Sequence, residues 1–209
     1  MKFTLFYGIV LIGYFLPQNA HAESNLNQLK VLADNYSNAY LNMYQPFAYF
    51  ENIELSRHNK FIQNSPDSFK RYQATEDQIH IALKKFDINK IEDIKAKVFY
   101  AKFSENIEAN IDKRICKSEL WSVSHMFGPH MLLDRLVNVQ PVKTDQDKED
   151  AIARWGEAAR YYDQEIKNLN RGLKQGYSAP KRVVNRLLAQ LNGLTSIPID
   201  KHPYLKLAK

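Results

Sequence analysis

From Thr144 to Gly176 the sequence writes out a helix from cap to stop. Thr144 offers a hydroxyl for the N-cap, and Asp145, Asp147, Glu149 and Asp150 crowd the first turns, where the helix dipole favours negative charge. Ala151, Trp155, Ala158, Tyr162, Ile166, Leu169 and Leu173 then recur on one face, which predicts a single continuous apolar stripe. Arg171 and Lys174 occupy the last turn, and Gly176 stands at the C′ position, which needs a residue tolerant of positive φ. Ser178 and Pro180 open a second helix, with Val183, Val184, Leu187, Leu188 and Leu191 on its inner face and Gly193 as its stop. Two such helices with a short joint make an αα-hairpin, so the expected fold class is all-α, an irregular helical bundle closing on this hairpin.

The rest of the chain agrees with that class. After Ser24, an N-cap, Leu26, Leu29, Ala33, Tyr36, Tyr40 and Met43 share a helix face, and Pro46 ends or kinks the helix. The stretch from Phe47 to Tyr72, broken by Asn59, Asn64 and Pro66, reads as loop with short helical turns. Thr75 and Gln78 form a capping-box pair, predicting a short helix through Ile79, Leu83 and Phe86 to about Asp87. Ile91, Ile94, Val98 and Ala101 make a stripe that Phe103, Ile107 and Ile111 continue with a shift, predicting a helix buried on two sides. From Lys113 to Pro141 the helical pattern breaks; Gly128-Pro129 forces a turn, with Trp121, Val123 and Met126 expected as buried anchors. With 44% hydrophobic and 25% charged residues and a single Cys, the composition excludes collagen-like, disordered and disulfide-stapled chains.

The N-terminus predicts export. Lys2 precedes an apolar run from Phe3 to Leu16, followed by Pro17 and Ala20-His21-Ala22, as in a signal peptide over residues 1–22 cut after Ala22. The product is then periplasmic or secreted, starts at Glu23, and is no lipoprotein, because no Cys stands at the cut. No second apolar run of spanning length follows, so no integral membrane segment is expected after cleavage. One helical domain is read over 23–193, with 194–209 as a linker or truncated tail.

The chemistry-bearing residues are sparse. A net charge of +6 raises nucleic acid as a partner, but the Lys and Arg residues are spread along the chain among acids and form no basic block, so no nucleic acid is expected. Cys116 has no partner in the chain and reads as a packed or idle thiol. Glu105 and Glu108 lie one turn apart with basic residues nearby, the pattern of a solvated face. His125 and His130 are five apart across a turn, whereas two zinc ligands on one helix face are three or four apart; hydrogen-bonded turn histidines are the expected state.

The run Asn170-Arg171-Gly172-Leu173-Lys174-Gln175-Gly176-Tyr177-Ser178-Ala179-Pro180-Lys181-Arg182-Val183-Val184 resembles the hairpin pattern of the DUF885 family of bacterial proteins. Met126, Gly128 and Pro129, followed by a leucine-rich stretch, a Pro-containing linker and a Tyr-rich helix, resemble the family's turn and first long helix. The resemblance covers about Leu26 to the C-terminus and is strongest after Leu120. It implies an exported, largely helical, metallopeptidase-like protein, whose zinc is held by a His-Glu motif and a further His on a downstream helix. None of the six histidines here is followed by Glu, so no catalytic, cofactor or metal residue carries over. Ser124-His125 stands where the family has Asn-Gln, and His130 where it has Gln, so the roles of those amides do not carry over either. What carries over is a structural motif of Gly128, Pro129, Arg171, Gly172, Gly176 and Pro180. In it Gly172 permits close approach of another backbone, and Arg171 binds a helix C-terminus or a carboxylate or, as the alternative, faces substrate in a complete protein.

The expectation is therefore the N-terminal helical part of such a protein, truncated before its catalytic part and inactive alone, with no cofactor in this chain. Zinc is expected only in the missing part, and the partner is a separate catalytic half or a peptide ligand. The alternative is a freestanding periplasmic helical module that binds a partner or ligand, and a third class is an enzyme built on Cys116, His125 or a constellation of Tyr and Arg.

Overall fold

The computed structural model describes residues 19–208, with side chains over 26–205. The apolar run expected to form a signal peptide lies outside the described residues. Among these there are seven α-helices, joined by 3-10 turns, and no strand: α1 (Asn19–Tyr44), α2 (Pro66–Leu83), α3 (Ile94–Lys113), α4 (His130–Val139), α5 (Asp145–Gly156), α6 (Ala158–Lys174) and α7 (Lys181–Thr195). The fold is all-α.

Two apolar clusters organise it. In the first, Leu29 of α1, Ile79 and Leu83 of α2, and Ala96, Phe103 and Ile107 of α3 close on Ile91 in a three-helix body. In the second, Phe61 and Ile62 of an extended segment meet Leu132 and Leu136 of α4 and Tyr161 of α6, with Tyr44, Phe47 and Trp155 packed around them. Residues 199–208 return as 3-10 turns, and the Tyr204 ring lies 5.6 Å from that of Trp155.

Several local expectations are corrected. The second helix begins at Pro66, with the Ser65 hydroxyl accepting from the Ser68 N–H; Pro66 is an N1 proline and not a breaker. Thr75 is interior to α2, and its hydroxyl donates to the Arg71 carbonyl instead of capping. In α3 only the Phe103–Ile107 side is buried, while Ile94, Val98 and Phe99 are exposed. The region after Gly128-Pro129 contains α4, and Trp121 and Met126 are 42% and 59% exposed, so Leu120 is the buried anchor there.

The long helix is two, interrupted at Glu157, although its ends are as expected. Thr144 and Asp147 form a reciprocal capping box. At the other end Gly176 has φ +85°, with its N–H on the Leu173 carbonyl and that of Tyr177 on the Gly172 carbonyl, a Schellman stop.

α5 and α6 bury Asp150, Arg154, Tyr161, Glu165, Asn168 and Gly172, each one residue before a member of the apolar stripe; of that stripe itself Ala151 is buried with them. One residue is a rotation of about 100° on a helix. Ile166 and Leu173 are exposed as a result.

The cause is the extended segment 57–64, which belongs to no sheet, so its backbone groups need partners elsewhere. The Asp150 carboxylate accepts from the His58 N–H at 2.6 Å, and Arg154 Nε donates to the Lys60 carbonyl at 2.9 Å. Further along, Arg160 donates to the Ile62 carbonyl at 3.0 Å and Asn168 to the Asn64 carbonyl at 2.8 Å. From His58 to Lys60 two extended residues advance about 6.6 Å and from Asp150 to Arg154 four helical residues about 6 Å, so the strap and α5 keep step there, while the side chains of Arg160 and Asn168 reach the strap beyond the helix break.

Candidate functional site

Three helices place their tyrosines and acids around one cavity. Tyr36, Tyr40 and Tyr44 recur every fourth residue on α1; Phe69, Tyr72 and Glu76 follow at helical spacing on α2; Asn106, Asn110 and Lys113 do so on α3. With Glu51, Arg114, Ser118 and Glu119 these line a cavity of about 540 Å³. A second cavity, of about 390 Å³, shares Tyr44, Phe69, Ser118 and Glu119 with it and runs on past Ser122, Gly128, Pro129 and Glu165. The two form one trough from the three-helix body to the strap.

The rings support one another: Tyr40 and Tyr44 stand 5.4 Å apart, Tyr44 meets Tyr72 edge-on at 5.6 Å, and Tyr72 lies 6.3 Å from Tyr36. Tyr36 Oη accepts from Tyr72 at 3.2 Å and from Asn110 Nδ2 at 2.9 Å, and the Tyr40 hydroxyl donates to Glu51 at 2.5 Å. The Tyr44 hydroxyl has no hydrogen-bond partner among the described residues. Burial, then the carboxylates of Glu76 and Glu119, push its pKa up to about 12. Burial also raises Tyr36, Tyr40 and Tyr72, so the site presents neutral hydroxyls at physiological pH.

Glu76 is the buried acid of the site, its side chain only 4% exposed. Its Oε2 accepts from Arg114 Nη2 at 2.9 Å, and its Oε1 has no hydrogen bond among the described residues. Arg114 also donates to Asp77 at 2.7 Å and to the Gln73 carbonyl at 3.0 Å, which ties α3 to α2. Beyond the trough, Arg154 is fully buried and donates to the Tyr49 hydroxyl, the amide oxygens of Gln140 and Gln45, and the Lys60 carbonyl. All four acceptors are neutral, and desolvation lowers its pKa. It is the knot that holds the strap to α5.

The residues singled out in the sequence are dispersed. Gly128 and Pro129 line the second cavity, and a Cβ on Gly128 would come within 2.2 Å of the Ser124 carbonyl oxygen. The Pro129 carbonyl accepts from Tyr162 at 3.0 Å. Gly172 lies against the turn Ser118–Leu120, where a Cβ would stand 1.9 Å from the Leu120 carbonyl oxygen. Pro180 precedes α7, its carbonyl accepting from the Val183 and Val184 N–H groups. Arg171 is half-buried and has neither a carboxylate nor a helix C-terminus as partner among the described residues, contrary to expectation.

His125 Nε2 accepts from Arg186 at 3.2 Å, His130 Nε2 meets Gln190 at 3.0 Å, and Cys116 is exposed. Glu108 lies 3.9 Å from His80, and Glu105, like Glu108, faces solvent. The zinc that the resemblance implies does not fit these side chains, since the described residues include no group of three His, Cys, Asp or Glu placed to hold a metal ion.

Sequence reasoning missed the site itself. Tyr36 and Tyr40 share their helix face with Leu29 and Met43 and so read as ordinary members of an apolar stripe, and Glu76 and Arg114 carry no motif. The signal that could have found it is the four-residue recurrence of tyrosine on α1, opposed by Tyr72 and Glu76 one turn apart on α2.

Fold and site thus define an all-α protein with a tyrosine- and carboxylate-lined trough. A family model, DUF885, described as a bacterial protein of unknown function, matches residues 52–209, and the chain belongs to this family. The match takes in α2 through α7 and begins after α1. No curated protein and no solved structure matches the chain. Among the described residues no helix is long and apolar enough to cross a membrane.

Proposed function

We propose that this chain is the exported, helical, ligand-holding part of a metallopeptidase-like DUF885 protein, and that its trough takes a peptide. One observation carries the reading: two adjoining cavities share Tyr44, Phe69, Ser118 and Glu119 and together offer aromatic faces, neutral hydroxyls and both signs of charge. The first cavity is the more polar and the second the more apolar, a division that suits a short chain carrying both kinds of side chain. The trough runs beside the strap 57–64, so a peptide in it borders a segment that α5 and α6 already hold by backbone contacts.

Hydrolysis is assigned elsewhere in this reading. The sequence has no His-Glu pair, and His125 and His130 engage Arg186 and Gln190. The test is titration calorimetry of the purified chain with a panel of tetrapeptides, alongside mass-spectrometric analysis of the same peptides with and without added zinc. Binding without cleavage is expected in both conditions. Cleavage that a chelator abolishes, or no binding by any peptide, overturns the proposal.

A further inference from the structure

We infer that the tyrosine cavity is a receptor for an organic ammonium group, presented by a peptide amino terminus or a lysine-like side chain. The inference rests on the peptide-holding reading above and specifies what the trough selects.

Cations are attracted to the negative faces of aromatic rings, and the attraction strengthens where water is excluded. Tyr36, Tyr40, Tyr44 and Tyr72 supply four such rings around one cavity of about 540 Å³. Rings alone would also suit a neutral ligand, so the charge of the wall decides. Glu51, Glu76 and Glu119 line it against Lys113 and Arg114, in a chain whose net charge is +6.

Arg114 offers an anion no open donor: its Nη atoms already serve Glu76, Asp77 and the Gln73 carbonyl, and its Nε, which has no acceptor among the described residues, is buried out of contact with solvent. Glu76 is the opposite case. Its side chain is 4% exposed, one oxygen is held by Arg114, and the other is without a hydrogen bond while the residue lines the cavity. That oxygen opens on the cavity, where an ammonium N–H can donate to it, and the ammonium charge answers the acid left over where the single Arg114 is shared by Glu76 and Asp77. The Tyr44 hydroxyl, without a partner, can accept a second N–H.

The experiment is titration of the full chain with four probes. Ala-Ala amide carries only an amino-terminal charge, Nα-acetyl-lysine methylamide only a side-chain charge, acetyl-Ala-Ala amide none, and n-butylammonium is the group without a peptide. The charged probes are expected to bind at least tenfold more tightly than acetyl-Ala-Ala amide, and whichever of the two peptides binds better identifies the source. Glu76→Gln is expected to remove that advantage, while Tyr44→Phe, which keeps the ring, retains most of it.

Should Glu76→Gln melt without a cooperative transition, Glu51→Gln/Glu119→Gln serves instead and is expected to weaken the charged probes severalfold. Binding of both charged peptides no tighter than that of acetyl-Ala-Ala amide overturns the ammonium inference and leaves the peptide reading standing. Failure of every peptide overturns the peptide reading, and failure of n-butylammonium as well overturns both.

Discussion

Replacing Gly172 with alanine tests whether the contact between α6 and the turn Ser118–Leu120 is as close as it stands. The added Cβ would lie 1.9 Å from the Leu120 carbonyl oxygen and 2.9 Å from its carbonyl carbon. An ordinary carbon–oxygen approach is about 3.3 Å, so the helix and the turn must part by more than about 1 Å. Both obstacles are backbone, which cannot rotate away as a side-chain end would. Alanine gains about 1 kcal/mol of helix propensity over glycine, and overpacking of a tight contact costs about 1–3 kcal/mol. With the obstacle rigid and the turn held by its own hydrogen bonds, the steric side wins by about 2 kcal/mol.

For a chain of this size that is a melting temperature lower by about 4–8 °C, read by far-UV circular dichroism. Gly193→Ala is the matched control, because nothing lies within 4 Å of its added Cβ. Propensity then acts alone, and the variant should melt at or up to about 4 °C above the parent. A Gly172→Ala protein melting at or above the parent temperature refutes the close contact.

Other outcomes follow from the same geometry. Arg154→Met should lose about 3–5 kcal/mol in urea denaturation, because Tyr49, Gln45, Gln140 and the Lys60 carbonyl lose their shared donor; unchanged stability would show that the knot holds nothing. The hydrogen bond from Arg57, followed by that from the His58 N–H, holds the Asp150 carboxyl below its ordinary 3.8. Its stabilisation is therefore present above about pH 4 and lost as pH falls through the folded value, so the gap between parent and Asp150→Asn should close on acidification. Burial and then Arg154 lower the pKa of His58 below 6.5, so stability should also decline as pH falls below 6.5, and His58→Asn should flatten that slope. Expressed with its leader in a Gram-negative host, the protein recovered from the periplasm should begin at Glu23 by N-terminal sequencing; an uncut Met1 would refute export by this signal.

What could be read from the sequence was what is settled within a few residues. Thr144 and Asp147 cap each other three residues apart, and Gly176 closes α6 through bonds to positions three and five residues away, so both ends were legible. Pro66 carried the opposite lesson. A proline punctuates a helix at either end, and only the Ser65 cap, confirmed by its bond to Ser68, says that this one opens α2. The trough is assembled from α1, α2 and α3, with Arg114 reaching acids 37 and 38 residues away. No spacing along the chain encodes that meeting.

The same argument explains why the strongest periodic signal pointed the wrong way by one residue. Periodicity reports which side chains avoid water, and by that measure the stripe through Ala151, Trp155, Ile166 and Leu173 should face inward. What α5 and α6 must cover, however, is an extended segment whose carbonyl and N–H groups have no sheet to join, and an unpaired buried backbone group costs about as much as a lost hydrogen bond. Asp150, Arg154 and Asn168 answer those groups at His58, Lys60 and Asn64, and they fix the rotation of both helices. The apolar stripe keeps Ala151 buried and Trp155, Ala158 and Tyr162 half-buried against the second cluster, and gives up Ile166 and Leu173 to the surface. Polar residues at helical spacing beside an apolar stripe, upstream of which lies a stretch without periodicity, are therefore a legible sign that a helix pair is holding a strap.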